Sequence, residues 1–194
     1  MKKTMVLLMA AVFIAGCNVV EHTDKNGDKK VDIQSAFGGL KVRTGDVDAK
    51  DVGLSIYPGA TLKPEDKKED KDHRANVDLD TPWLGLKVVT VTMLSNDPPQ
   101  KVWDFYKKDL SQYGSVLECK KGSPDVQKKR ANDEDLICSN DNGDTHQGMN
   151  IQVDTDELKA GTTDRQHIVA VKPNGTGSEF TLVYFRKSDK KTSM

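Results

Sequence analysis

The sequence predicts an α+β domain, a mainly antiparallel β-sheet with one long amphipathic helix packed on it. Short β-branched or alternating runs recur along the chain, above all "GLKVVTVTMLS". Asn-Gly and glycine-rich turn chemistry, as in "NDNGD" and "PNGTGS", separates several of them. A single stretch, "SNDPPQKVWDFYKKDLSQYG", has instead the three- and four-residue apolar spacing of a helix. Short links between consecutive strands favour an antiparallel meander, and one helix on such a sheet makes a layered α+β arrangement.

The elements follow in order. Residues 18–30, "NVVEHTDKNGDKK", are polar and aperiodic, which suits a tether. "VDIQSAFGGLKVRTG" alternates on both sides of Gly38-Gly39, so Val31, Ile33, Leu40 and Val42 fall on one face of a hairpin whose turn the glycines supply. "DVGLSIYPGA" ends in a turn at Pro58-Gly59. From Lys63 to Arg74, "KPEDKKEDKDHR" is almost wholly charged with mixed signs and reads as a solvated excursion, with a partner- or ion-binding loop as the alternative.

The helix comes next. Asp97 is placed to cap it, Pro98 to take the first helical position, and Gln100 to complete a capping box. Val102, Phe105, Tyr106, Leu110 and Tyr113 then form its apolar face, and Gly114 stops it. Further strands are expected in "SVLEC", "DLICS", "GMNIQVD", "QHIVAVK" and "EFTLVYFRK".

At the amino terminus, Lys2 and Lys3 precede an uncharged apolar run from Met5 to Ile14. A bilayer core needs roughly 20 apolar residues, so this run has the shape of an export signal rather than a spanning helix. It ends in "IAGC". That stretch resembles the lipobox of bacterial lipoproteins, matching at Ala15, Gly16 and Cys17, with Ile14 where leucine is usual. The resemblance implies that Cys17 receives a diacylglycerol thioether, that residues 1–16 are removed, and that the new amino terminus is acylated. Each buried methylene contributes about 0.8 kcal/mol, and two or more chains hold stably. Asn18, rather than aspartate, after the cysteine implies an outer-membrane address if the host has one. A secreted protein cut elsewhere is the alternative.

The mature chain is long enough for one domain with a core. Loss of Lys2 and Lys3 takes the formal charge from −1 to −3, a near-balance with no basic footprint for nucleic acid and no polybasic patch to reinforce a lipid anchor. Cys119 and Cys138 remain, each closing a short apolar run. In an oxidising exported compartment an even pair of this kind is expected as a disulfide, with two buried thiols as the alternative.

Other motifs carry less. Asp24, Asn26, Asp28 and Lys30 occupy alternate positions of a calcium loop, but Lys29 stands where glycine is wanted and Ser35 where a bidentate glutamate should be. A polar tether is the expected reading there, with calcium binding open. His22, His73, His146 and His167 show no ligand spacing, and the chain has no nucleophile elbow, P-loop or dinucleotide fingerprint. The acidic cluster Asp133, Glu134, Asp135 reads as a solvated turn. Trp83 is expected in core or rim packing, with an exposed anchor for a partner or glycan as the alternative. No catalytic residue, metal site or cofactor is assigned.

"GLSIYPGATL", "SNDPPQKVWDFYKKDLSQYG" and "VLEC" together resemble a group of uncharacterised bacterial lipoproteins. These share a Tyr-Pro-Gly-Ala turn, a D-x-P-x-x-V-x-x-F-Y helix and the same cysteine. The resemblance runs from about Val31 to Cys119 and implies one compact exported domain without a transferable activity. The expected layout is signal peptide 1–16, polar tether 17–30, single domain 31–187 and polar tail 188–194. The expected function is a lipid-anchored envelope protein, bound to the membrane through acyl chains on Cys17, whose non-catalytic domain binds or supports an envelope protein or glycan. The alternative is an envelope hydrolase or glycan-processing enzyme with an unfamiliar site.

Overall fold

The computed structural model describes residues 17–23, 28–64, 73–120, 136, 138 and 155–189. Among them run strands β1 (Asn18–Thr23), β2 (Lys29–Ser35), β3 (Gly38–Arg43), β4 (Thr61–Leu62), β5 (Arg74–Asp80) and β6 (Leu84–Ser95). After these come β7 (Leu117–Cys119), β8 (Asp156–Thr162), β9 (Arg165–Asn174) and β10 (Gly177–Asp189). The helices are α1 (Ala49–Val52) and α2 (Pro99–Leu110), the latter continued by a 3₁₀ turn at Ser111–Tyr113. One sheet holds the strands in the order β1-β2-β3-β5-β6-β10-β9-β8-β7, with β4 paired to β6 beside β5. Its ladders are antiparallel throughout. The fold is thus mainly antiparallel β-sheet, as the sequence predicts.

The helix is shorter than predicted. α2 has 12 residues, which makes it about 18 Å long against about 40 Å for a 12-residue strand such as β6. It begins at Pro99, preceded by Pro98 in extended conformation without a side-chain cap. Two consecutive residues without an N–H leave a capping side chain little to bond. Asp97 therefore accepts from the Tyr57 hydroxyl and the Lys101 ammonium, both at 2.8 Å, and Gln100 donates to Asp104 instead. At the other end the backbone tightens into the 3₁₀ turn, and Gly114, with φ 123°, ends the helical run.

α2 covers one half of one sheet face. α2 lies on β8, β9 and β10 and α1 on β6 and β10, so that Val102, Trp103, Tyr106 and Leu110 share one core with Val89, Val91 and Met93 of β6, Phe180 and Leu182 of β10, Val169 and Val171 of β9, and Leu158 and Ala160 of β8. The segment from Val47 to Tyr57 closes this core from the side, with Val47, Ala49, Val52, Leu54 and Tyr57 buried. Within it, Asp48 and Asp51 form a capping box that starts α1, and Gly53, left-handed at φ 80°, ends it.

From Gly53 onward the chain runs antiparallel to α2 and is bonded along its length. The Tyr113 hydroxyl donates to the Gly53 carbonyl. The Tyr106 hydroxyl donates to the Ser55 carbonyl at 3.2 Å, and Ser55 donates its N–H and hydroxyl to Asp109 at 2.9 and 2.8 Å. Tyr57 reaches Asp97 and packs edge-on against Phe105 and Phe180. The expected turn follows, with Ala60 N–H bonded to the Tyr57 carbonyl and Gly59 at φ 74°.

Elsewhere the structure refines the sequence reading. In the β2–β3 hairpin Val31 pairs Val42 and Ile33 pairs Leu40, sharing a face as predicted. The glycines do not form its turn, which is Ala36-Phe37; Ser35 pairs Gly38 and Gln34 pairs Gly39. Gly38 is needed for close approach instead, since a Cβ there would lie 2.2 Å from the Asp80 carbonyl oxygen of β5. The charged excursion leaves and returns at one residue of β6: Lys63 N–H donates to the Thr92 carbonyl and Thr92 N–H to that of His73. Arg74, expected in the excursion, opens β5, and neither β5 nor β8 was expected as a strand. The "GMNIQVD" run lies outside the described residues, and Leu136 and Cys138, the described part of "DLICS", are not in a strand. Cys119 and Cys138 are disulfide-bonded with Cα atoms 5.5 Å apart.

Two outcomes follow for stability. Tyr57→Phe should cost about 1–3 kcal/mol in urea denaturation, because it strips a partly buried hydrogen bond that joins the Gly53–Tyr57 segment to the helix start. Reduction of the Cys119–Cys138 bridge should cost roughly 3 kcal/mol. Native protein should react with alkylating reagent at neither cysteine until it is reduced.

Candidate functional site

Cys17 is exposed with a free thiol, and β1 begins at the next residue. The tether expected over 17–30 is therefore strand over Asn18–Thr23, paired residue for residue with β2 from Asn18–Gln34 to Thr23–Lys29. All six of its side chains are exposed, so the strand carries no burial periodicity for the sequence to reveal. Cys17 is thus joined directly to the first strand of the sheet.

The strands beyond β1 build a two-faced surface. Ile33, Leu40, Leu79 and Leu86 stand opposite one another across β2, β3, β5 and β6, and Val31, Val42, Val77 and Val88 form the adjoining row. These eight aliphatic side chains are half-buried and lie outside the packed core. Their rows run on into Phe185 of β10, which pairs Val88 and is fully buried. On the other face, Asp32, Lys41, Asp78, Lys87 and Arg186 line up with largely alternating sign. Lys41 Nζ lies 3.6 Å from Asp32 there. Further along, that same charged face carries α2, because Val89 and Tyr184 in the next row belong to the core. The aliphatic rows are the part of the surface suited to docking another apolar surface.

Buried polar groups cluster in the helix-bearing half. Glu157 and Lys159, two apart on β8, are both buried with Lys159 Nζ 3.1 Å from Glu157 Oε2. They share their face with Leu117 and Cys119 of β7. Glu118 points the other way. Lys107, 2.6 Å from its carboxylate, holds its pKa below the usual range, and the Trp103 indole N–H donates to it at 3.2 Å. The Lys120 ammonium sits 3.7 Å above the Trp103 ring.

His167 on β9 is buried and stacked on Tyr113 at 3.7 Å, with Tyr184 5.0 Å away. Burial depresses its pKa below the ordinary 6.5, opposed by a hydrogen bond to the Val52 backbone, and its Nδ1 has no partner. The ring thus acts as a neutral aromatic spacer between the 3₁₀ turn and the sheet.

The remaining sequence candidates disperse. Asp28 is buried against Gly45, and Lys30 bonds Asp46 at 2.9 Å, so both turn into the protein's own β3–α1 connection. Asp24, Asn26, the Asp133–Asp135 cluster and His146 lie outside the described residues. His22 is exposed on β1, and His73 precedes β5. Trp83, expected in core or rim packing, is 58% exposed; the buried tryptophan is Trp103. One proline and a helical phase explain the exchange: Trp83 follows Pro82 in the β5–β6 connection, while Trp103 adjoins Val102 on the inward side of α2. Among the described residues no three His, Cys, Asp or Glu gather as a metal site, and no helix is long and apolar enough to cross a membrane. No protein family, curated protein or solved structure matches the chain.

His167 has a pH consequence with a defined sign. The unfolded chain binds a proton on this histidine as pH falls through 6.5, while the folded protein resists it. Its contribution to stability is full above that pH and is lost as pH falls toward the depressed folded value. Urea midpoints should therefore decline between about pH 7 and pH 5, and His167→Phe should flatten that decline. Equal slopes in the two proteins would contradict the buried neutral ring.

Proposed function

We propose that the protein is a lipid-anchored component of a bacterial cell envelope, held through acyl chains on Cys17, whose sheet offers a non-catalytic binding or structural surface. The observation that carries the reading is the position of Cys17: it follows the apolar run that reads as an export signal, in "IAGC", and stands exposed at the entry to the sheet. A disulfide within the domain fits an oxidising compartment. Asn18 after the cysteine favours an outer-membrane address where the host has that membrane. The half-buried aliphatic rows of β2, β3, β5 and β6 are the surface on which another envelope protein or the apolar face of a glycan would dock.

The likeness to lipoproteins sharing the Tyr-Pro-Gly-Ala turn and the D-x-P helix is part of the same reading. Tyr57 of the turn bonds Asp97 at the helix start and packs against Phe105, so residues distant in sequence act as one structural unit.

Cys17→Ser should abolish fatty-acid labelling and move the protein from the membrane to the soluble fraction. A variant that still sediments with carbonate-washed membranes would overturn the anchor.

A further inference from the structure

The end of the sheet at which Cys17 enters also gathers most of the exposed apolar side chains. Asn18 of β1 pairs Gln34 of β2, one residue short of that strand's end. The next connection is the Ala36-Phe37 turn. Gly38 after it lies against the Asp80 carbonyl and Thr81, which lead into the connection holding Trp83. Asp80 pairs Gly85, and Leu84 pairs Asp189 at the end of β10. One rim therefore contains Cys17, Phe37 and Trp83. Six large hydrophobic side chains are exposed among the described residues, and four are at or next to this rim: Val19 60%, Val20 54%, Phe37 68% and Trp83 58%. Leu62 is near the opposite end, since β4 pairs Met93 and Leu94.

We propose that this rim is seated in the membrane interface, with Phe37 and Trp83 entering the headgroup region beside the acyl chains on Cys17. The proposal rests on the anchor reading above. Three features select a lipid surface as the occupant. The chain enters the sheet here, with no residue between Cys17 and β1 to let the rim stand off. Cys17 and Trp83 are three to four strands apart, roughly 15–20 Å, so one bilayer plane reaches both. An amphipathic indole on a tight connection is suited to the polar–apolar boundary.

The consequence is an upright sheet. Strands β6 and β10 rise from the membrane, and Met93, where β4 and the helix-packed core lie, stands eight residues above Gly85, roughly 27 Å away. The aliphatic rows Ile33–Leu86 and Val31–Val88 then face sideways, parallel to the bilayer plane and close above it.

The test uses the full acylated protein in phosphatidylethanolamine–phosphatidylglycerol vesicles containing lipids brominated near the headgroup end of the chains. Trp83 emission is isolated by subtracting that of Trp83→Phe, in which Trp103 remains. A second reporter, Thr176→Trp in the Trp83→Phe background, marks the opposite end of β10. Emission from Trp83 should be blue-shifted and largely lost to bromine, in low and high salt alike, while the Thr176→Trp reporter keeps its emission. Unquenched Trp83 in protein that carries fatty-acid label would overturn the seating and leave the anchor standing. Equal quenching at both ends would overturn the upright orientation and the seating with it. Protein lacking label would sink the anchor, and the same quenching measurement on it decides the rim separately. Shielding of Trp83 in whole envelopes without quenching in vesicles would assign the rim to a protein partner and overturn the proposal.

Discussion

The constraint on which the architecture depends is the ladder between β6 and β10. It pairs every residue of β6, from Ser95 opposite Ser178 to Leu84 opposite Asp189. A ladder this long exceeds what one short helix can cover, so the molecule divides into two halves. In one, Val89, Val91, Met93, Phe180 and Leu182 lie under α1 and α2 together and form a closed core. In the other, the same strands continue past the helix and are widened by β5, β3, β2 and β1 into a sheet with an aliphatic face and a charged face. The first half supplies stability; the second supplies surface.

The strap from Gly53 to Tyr57 makes the first half one unit. Its bonds to Tyr113, Tyr106, Asp109 and Asp97 fall along the whole length of α2 and its 3₁₀ extension. Tyr57 has a double role, since its ring fills space among Phe105, Tyr106 and Phe180 while its hydroxyl bonds the carboxylate before the prolines. Burial and the Asp97 carboxylate both raise the Tyr57 pKa, which keeps the hydroxyl a donor at ordinary pH. Helix start, turn and sheet are thereby fixed by one side chain. The disulfide fixes the far edge at Cys119, on the face away from the helix.

Legibility in the sequence followed burial. β6, β9 and β10 are rich in Val, Ile and Phe because one or both faces are buried, and their runs are plain. The hairpin of β2 and β3 was legible from alternation alone. β5 alternates too, Val77 and Leu79 each followed by an aspartate, Asp78 and Asp80, but it directly follows the charged excursion, which obscures its start. β8 was hidden because it buries a charged pair, Glu157 and Lys159, where a strand of this sheet would ordinarily show apolar residues. β1 buries nothing and so has no pattern to read. For the candidate site, the sequence offers Cys17 only through the resemblance carried by "IAGC". The absence of a spacer after it, and the convergence of Phe37 and Trp83 on the same rim, came from strand register that composition does not encode.

The functional account joins these halves through one sulfur. On the reading proposed above, a chain anchored at Cys17 would have its first strand and its exposed Phe37 and Trp83 nearest the membrane, its aliphatic rows just above and its helix-packed core furthest away. Each step presupposes that Cys17 is modified. The most direct measurement is the mass of the amino-terminal peptide from protein isolated from its own membranes. The account predicts a peptide that begins at Cys17 and carries the mass of a diacylglyceryl group plus an amide-linked acyl chain. A peptide beginning at Cys17 or elsewhere with only the mass of its amino acids would contradict it.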